Sequence, residues 1–490
     1  MFKKILVIAV VVAVLAGVVI AVMSSSGGVQ ASNLPVVTGI CEELTVTFSV
    51  EEAFHTANIE VELTASNPNA RIFYTLDGST PTTRSRQYSR PIRINVRGSM
   101  NVTVVRAIAV YDGYASRPVS HTYFMGRGVH NRFDTMVFSL STTPSYLFDH
   151  HDGIFVAGAI RDEFIRQNPG HDVRPPDPAN FNLRGREAER PLSVEVFSPD
   201  GERLHIQNAG ARVHGGWSRA HDQKSIRLVP RREYTPETGT FRFDFFPWDL
   251  SAAGQPIVRY DNLILRNSGN DNSHGMIRNE VGSVLALEAG FLGVTPVRPV
   301  AVFLNGEYYG FAWLQVRFTE NYMERLFDAP ERSFDIVGMG ERWLDTDDEE
   351  IYADLRHKNS FGHRDLTDDA IFAQLEEILD VDNMLFYFAF QIFMGQHDWP
   401  HNNLRRWRYT GEQVEELSPY LDGRWRYLMF DLDWTLGLYG DNYRKPTFQN
   451  VLEGADPAGQ RHSDLLIAIL QRPEMQERFT MIMNDLWPPM

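Results

Sequence analysis

"FMGQHDWPHNNLRRWR" (residues 393–408) and "WRYLMFDLDWTLG" (residues 425–437) decide how the second half of this 490-residue chain is read. The first stretch closes a long apolar run and sets Asp398 five positions before Asn403, on a segment interrupted by Pro400. The second is an apolar run that ends in paired aspartates. A strand buried on both faces has that near-continuous apolar character, so the second stretch is expected to be a buried strand with Asp431 and Asp433 at its C-terminal end.

Upstream, "DLTDDAIFAQLEEILDVDNMLFYFAFQIFM" (365–394) has helical periodicity, with Asp382 and Asn383 near a helix start. "RNEVGSVLALEAG" reads as an amphipathic helix stopped by Gly290. "VRPVAVFLNGEYYGFAWLQV" reads as a β-hairpin turned at Asn305-Gly306. Before these come the strand-like runs "MVFSLSTTPSYLFDHHDGIFV", "PLSVEVFSPDG", "LHIQNAGARVHGG" and "KSIRLVP", expected to form a larger sheet. From Ile40 to about Phe124, short alternating stretches divided by turn clusters such as "SNPN" and "DGSTP" read as a small all-β sandwich.

The N-terminus is of another kind. Lys3 and Lys4 precede an uninterrupted apolar run of about 19 residues, enough to span a bilayer as a helix. The positive-inside tendency leaves the N-terminus cytoplasmic and the remainder outside. Anchor and cleaved signal both fit, because "VQA" at 29–31 has the character of a cleavage site. The expected location is therefore the cell membrane with an extracytoplasmic C-terminal portion, or secretion if the segment is removed. "SSSGGVQASN" would be a flexible linker.

Composition narrows the functions. A formal charge of −16 disfavours a nucleic-acid partner, since an acidic surface repels phosphate backbones. The single cysteine, Cys41, rules out an intrachain disulfide framework, and "VTGIC" lacks the small-residue pattern that precedes a lipid-modified cysteine.

The paired stretches carry chemistry. Phosphoryl transfer needs a carboxylate near the attacking hydroxyl, and oxygen ligands that hold magnesium against the phosphates. Asp398 would orient or deprotonate the acceptor, Asn403 would bind metal, Asp431 would be the primary metal ligand, and Asp433 a secondary ligand or its support. The same spacing occurs in the catalytic loops of protein kinases and of aminoglycoside and choline phosphotransferases. Each half has a plainer reading: the Asp-to-Asn spacing arises by chance, and paired aspartates also bind calcium or cap strands. His397 and His401 flank Asp398, but with Pro400 between them they lack a helix face to align them on zinc.

Two resemblances follow. "ARIFYTLDGSTPTTRSRQYSRPIRI", closed by "VVRAIAVYDGYASRPVSHTYF", resembles the β-sandwich module at the C-terminus of chitobiase and hexosaminidase-type proteins. Within it Tyr74, Asp77 and Thr80 read as turn and core residues. The resemblance implies a spacer or adhesion module over 40–125, with a glycan as a candidate contact.

Residues 130–490 resemble the CotH kinases, through "ERPLSVEVFSPDGERLHIQNAGARVHGGWSR", "QKSIRLVPRREY", "DNLILRNSGNDNSHGMIRNEV", "RPVAVFLNGEYYGFAWLQVR", "GQHDWPHNNLRRWR" and "WRYLMFDLDWTLG" in that order. This implies ATP with Mg2+ and transfer to serine of surface or coat proteins. It carries Asp398, Asn403 and Asp431 onto the catalytic-loop Asp, its Asn and the metal Asp. It carries Lys224 onto a basic residue suited to nucleotide phosphates; without it Lys224 reads as a strand-surface lysine. Gly215 and Gly216 would let backbone approach phosphates or simply turn, and Arg266 would pair with phosphate or with a structural carboxylate. Val316 stands where such relatives carry Glu, with Glu280 as a substitute partner for Lys224. The chain also stops where relatives continue through further helices, so the domain is read as C-terminally truncated.

The expected fold class is α+β: an N-terminal membrane helix (with its linker, 1–33), an Ig-like sandwich (40–125) and a kinase-like α+β domain (130–490). The leading function is a membrane-tethered CotH-type kinase. A non-catalytic surface protein with a degenerate kinase-like scaffold is the alternative, and hydrolysis of glycosides by Asp398 and Asp431 is a third reading with only the accessory module behind it.

Overall fold

Alternating apolar and polar residues put one buried row on each strand, and such rows must be covered. In the computed structural model, which describes residues 37–339, 364–400, 402–412, 418–440, 447–453 and 463–486, the first set of alternating segments forms a sandwich. Its larger sheet centres on β1 (Arg71–Thr75), β2 (Asn101–Tyr111) and β3 (Val119–Met125), paired antiparallel. Val105, Ala107 and Ala109 of β2 pack against Val61, Leu63, Ile92 and Ile94 of the facing two-stranded ladders.

The turn after β1 explains its own sequence. The Asp77 carboxylate accepts from the Ser79 amide at 3.1 Å and from the Ser79 hydroxyl at 2.5 Å. Gly78 has φ +78°, and a Cβ there would run into the Asn305 side chain. The Thr80 amide donates to the Thr143 hydroxyl at 3.1 Å. Asp77 and Thr80 therefore shape a turn that docks on the next domain.

That domain is built on seven strands: β4 (Met136–Ser141), β5 (Arg190–Phe197), β6 (Arg203–His214), β7 (Ser225–Val229), β8 (Leu263–Arg266), β9 (Val297–Leu304) and β10 (Glu307–Gln315). They close into a barrel in the order β4-β5-β6-β7-β8-β10-β9, with β9 and β4 pairing in parallel across the seam. Phe138, Leu140, Val194, Val196, Val213, Ile226, Leu265, Val302 and Leu314 fill it. Asn305 (φ 52°) and Gly306 (φ 85°) make the β9–β10 turn, the left-handed pair that a two-residue hairpin favours.

Alternation gives the barrel an outer face as well, and it is used twice. On β4, β5 and β9 the outward Val137, Phe197, Ala301 and Phe303 meet Phe54 and Phe124 of the sandwich. Phe124 lies edge-on to Phe303 and Phe197, with ring centroids at 5.0 and 5.6 Å. Beside it, the buried Glu195 carboxylate accepts from the Thr122 amide at 3.1 Å, the Thr122 hydroxyl at 2.5 Å and Arg203 Nε at 3.2 Å. Burial pushes the Glu195 carboxyl up, and Arg203 and Thr122 oppose the shift. Sandwich and barrel thus share a core.

The remaining elements form a helical region. α1 (Arg278–Glu288) follows β8; β11 (Phe334–Met339), β12 (Leu404–Tyr409) and β13 (Arg426–Leu428) make a three-stranded antiparallel sheet; α2 (Val381–Phe393) and α3 (Pro473–Leu486) pack together. The helical stretch expected over 365–394 is divided, Asp369–Ile378 being followed by α2. Asp380 divides it: one carboxylate oxygen caps α2 through the Asn383 amide at 3.0 Å, and the other accepts Arg426 Nε at 2.9 Å.

The expected fold class needs correction. Among the described residues no helix is long and apolar enough to cross a membrane, and the membrane helix expected at the N-terminus falls outside those residues. Even α2, apolar on nearly every side, has 13 residues, where about 20 are needed to span a bilayer. Where a larger sheet within a kinase-like α+β domain was expected, a closed barrel stands, because β4 pairs with β9 and leaves no free edge between them.

Replacing Phe124 by Ala should cost about 3–5 kcal/mol and lower the denaturation midpoint of sandwich and barrel together. Two well-separated transitions in calorimetry of the wild-type chain would contradict a shared core.

Candidate functional site

The second use of the barrel's outer face is on β6, β7, β8 and β10. Val213, Ile226, Leu265 and Leu314 point inward, so Arg212, His214, Arg227, Arg266 and Gln315 lie outside by alternation. Here the helical region closes on the barrel.

Asp398 is fixed by its neighbour. The buried Trp399 donates its indole N–H to the Tyr387 hydroxyl of α2 at 2.9 Å and packs edge-on to Phe388 at 4.9 Å. Asn403 returns to Asp398: its side-chain amide donates to the carboxylate at 3.2 Å and to the Asp398 carbonyl at 3.3 Å. Asn402 donates to the other carboxylate oxygen at 2.8 Å. Asn403 has φ 54°, a left-handed conformation that asparagine tolerates better than most residues.

Asp431 and Asp433 follow β13 on a turn, not at the strand end itself. The Met429 amide donates to the Gly293 carbonyl at 2.6 Å, Asp431 turns the chain at φ 57°, and the Leu432 amide donates to Asn279 Oδ1 at 3.0 Å. The Asp431 side chain is 34% exposed and that of Asp433 3%. A single nitrogen, Nη2 of Arg266, donates to Asp431 Oδ1 at 2.5 Å and to Asp433 Oδ2 at 2.7 Å. Asn270 adds its backbone and side-chain amides to Asp433 at 2.9 and 3.2 Å. Gly269 makes room: at φ +56°, a Cβ would strike the Asp433 carboxylate.

Gln396, buried between the two loops, ties them together. Its Nε2 donates to the Asp431 carbonyl at 2.9 Å, and its Oε1 accepts from the Asp398 amide at 3.2 Å. The His397 amide donates to the Trp434 carbonyl at 3.0 Å. The four polar residues singled out in the quoted stretches are therefore laced into one site, by a residue that no spacing rule indicates.

Electrostatics favour a bound cation. Burial raises the Asp433 carboxyl to about 7, with Asp431 adding to the shift and Arg266 and Asn270 opposing it. Burial by itself would lower Arg266, but Asp431, Asp433 and Glu280 more than reverse this, so the guanidinium is firmly charged. Burial also pushes Glu280 up against Arg266, and its Oε2 has no hydrogen-bond partner. Three carboxylates thus share one guanidinium. Among the described residues no three His, Cys, Asp or Glu side chains converge as a ready-made cage. A site for Mg2+ needs no such cage, since that ion takes one or two carboxylates and completes its shell with water and phosphate oxygens. The hard oxygen donors fit it.

The same face is rich in arginine. Burial lowers Arg227 to about 10, with Arg317 and Arg212 adding to the shift. Burial lowers Arg405 to about 10 as well, Arg317 contributing while Asp431 opposes. His214 is held well below its ordinary value by burial and then by Arg317, Arg266 and Arg227, so it is neutral among them. Positive charge gathered beside two aspartates suits a polyanion carried with a metal. Sequence reasoning missed Arg227, Arg317 and Arg405; strand alternation from the inward Ile226 is the signal that finds Arg227.

Lys224 stands apart from the aspartates. It is buried, its ammonium donates to the His221 carbonyl at 2.5 Å, and it lies 4.6 Å over the Phe181 ring. Burial lowers it to about 8, and the charges acting on it are Asp222 and Arg219. Glu280 is coupled to Arg266, not to Lys224. Gly215 is a turn glycine at φ +109°, its Cβ position taken by the Ser218 hydroxyl. Val316 packs in the barrel core. His401 lies outside the described residues.

Residues 211–488, more than half of the chain, match the family model described as CotH kinase protein. Residues 51–121 match the one described as Chitobiase/beta-hexosaminidase C-terminal domain. No curated protein matches the chain.

Exchanging Gln396 for Leu leaves the Asp431 carbonyl and the Asp398 amide without their shared partner, at about 1–3 kcal/mol for a buried group. Thermal unfolding should fall accordingly, and an unchanged midpoint would mean that the two loops hold together without it.

Proposed function

The chain belongs to the CotH kinase family, and from that premise we propose that it transfers the γ-phosphate of ATP to a serine hydroxyl of a protein substrate, with Mg2+ in attendance. The observation that carries this reading is the Asp398–Asn403 contact joined through Gln396 to Asp431. It sets an acceptor carboxylate and a metal-side carboxylate on two loops that one buried side chain ties together.

Asp398 does the acid–base work. Asn402 and Asn403 donate to it through their side-chain amides, and a carboxylate so oriented can align a serine hydroxyl and receive its proton as the oxygen attacks phosphorus. Asn403 gives its Nδ2 to Asp398, so its amide oxygen is the end suited to a cation. Asp431, the more exposed of the pair, is the direct ligand. Asp433, buried and held by Asn270, fixes the turn and shares the charge. When bound, Mg2+ would neutralise the phosphates and draw charge from the bridging oxygen. Arg227, Arg317 and Arg405 would hold the phosphate oxygens and keep the nucleotide in line with Asp398. Lys224 braces the turn after β6 instead. The sandwich, sharing a core with the barrel, steadies it from the opposite outer face.

The test is transfer of labelled γ-phosphate by the full chain with Mg2+, using a serine-bearing protein mixture as acceptor. Asp398→Ala should bind Mg-ATP but transfer about 100-fold less or worse, whereas Asp431→Ala should lose both. A folded wild-type chain that neither binds Mg-ATP nor transfers phosphate would overturn the proposal and leave a non-catalytic scaffold.

A further inference from the structure

Among the buried atoms near the paired aspartates that lack hydrogen-bond partners, Trp434 Nε1 included, two on facing elements are complementary. Nε of Arg266 is a donor with no acceptor, and Oε2 of Glu280 is an acceptor with no donor. Neither is near bulk water: Glu280 is 2% exposed and the Arg266 side chain 12%. Arg266 ends β8 and Glu280 lies in the first turn of α1, near enough that each acts electrostatically on the other. Buried polar atoms are rarely left unmatched, so a matched pair of orphans points to a second arrangement that satisfies both.

The present arrangement has its own peculiarity. Arginine usually grips one carboxylate with two nitrogens, yet here one nitrogen is divided between Asp431 and Asp433. Asp431 and Asp433 are the residues that would hold a cation in its place.

We propose that Arg266 is a two-position switch: without a divalent cation it is the counter-ion of Asp431 and Asp433, and when a cation takes those carboxylates it pairs with Glu280 Oε2. The inference rests on the reading of these aspartates as a cation site. Arg266 is then a positioning residue whose release couples the site to α1. That helix also holds the aspartate turn, because Asn279 accepts the Leu432 amide through Oδ1 and donates to Glu280 Oε1 at 3.0 Å through Nδ2. Gly269 leaves the guanidinium space to move, a Cβ there coming to 2.7 Å from Nη2.

The experiment is Mn2+ binding to the full chain without nucleotide, followed by the paramagnetic signal of free Mn2+. Wild type should bind and Asp431→Ala should not. Glu280→Gln removes the second position, so Arg266 stays on the aspartates and affinity should fall about tenfold, the size of an ordinary coupling. Arg266→Gln removes the competitor and should tighten binding, and adding Glu280→Gln to it should then change nothing. An equal loss from Glu280→Gln in both backgrounds would mean simple charge attraction and overturn the switch while the cation site stands. So would unchanged affinity in Glu280→Gln alone, which decides the matter if Arg266→Gln fails to fold. Mn2+ binding indifferent to Asp431→Ala, or no binding by wild type, overturns the cation site and the switch with it.

Discussion

The Arg266 guanidinium, bridging Asp431 and Asp433, is the constraint on which the functional half of the molecule depends. It joins the last residue of a barrel strand to a turn of the helical region, across 165 and 167 positions of sequence. Taking charges out of water is costly unless they are paired and hydrogen-bonded, so the neighbourhood is shaped to satisfy them. Gly269 removes a Cβ that would collide, Asn270 adds two donors to Asp433, and Asn279 holds the turn from α1. Breaking such a triad from one side leaves an uncompensated charge in the interior. The contact thus joins barrel and helical region at the candidate site, beside the Asn279–Leu432 and Gly293–Met429 hydrogen bonds.

The barrel makes this possible by having two outer faces of opposite character. Phe197, Phe303, Val137 and Ala301 face the sandwich and bury apolar surface. On the other side Arg212 pairs with Glu189, and Arg266 meets the aspartates of the helical region, so that face buries charge. Both faces come from one alternating pattern around one closed sheet, apolar packing on the first and paired charges on the second. Closure matters as well: with β4 paired to β9, the seam presents no row of unpaired amides to a neighbouring chain.

What could be read from the sequence was local. The Asp398-to-Asn403 spacing, the Asn305-Gly306 turn and the strand leading to Asp431 are each set within a few residues: Asn403 contacts Asp398, Asn305 and Gly306 take the left-handed turn, and β13 runs up to the Asp431 turn. Arg266 was open between phosphate and carboxylate because its partners lie far along the chain, and in the structure it takes the carboxylates. Gln396 and Arg405 carried no signal, since their meaning comes from pairing across loops and sheets. Lys224 was drawn toward the site by resemblance alone, and its ammonium turns instead to the His221 carbonyl. Barrel closure was equally invisible: whether a set of alternating strands forms an open sheet or a ring depends on one long-range pairing, not on the pattern of any strand.

Strand alternation also bears on Val316, where the resemblance led to the expectation of a Glu. Gln315 pairs with Ile264 and Val297 on the outer side of β10, and Val316, one residue on, packs into the barrel core with Leu314. In this register a carboxylate at position 316 would be driven into an apolar interior, where a charge without a partner is not tolerated. Valine there is what the core requires. An acidic partner for Arg266 besides the paired aspartates must come from an element that faces the outer surface, and α1 supplies it: Glu280 is buried, unpartnered at Oε2 and coupled to Arg266. The helix that follows β8, rather than the strand end that follows the hairpin, thus carries the third carboxylate acting on Arg266.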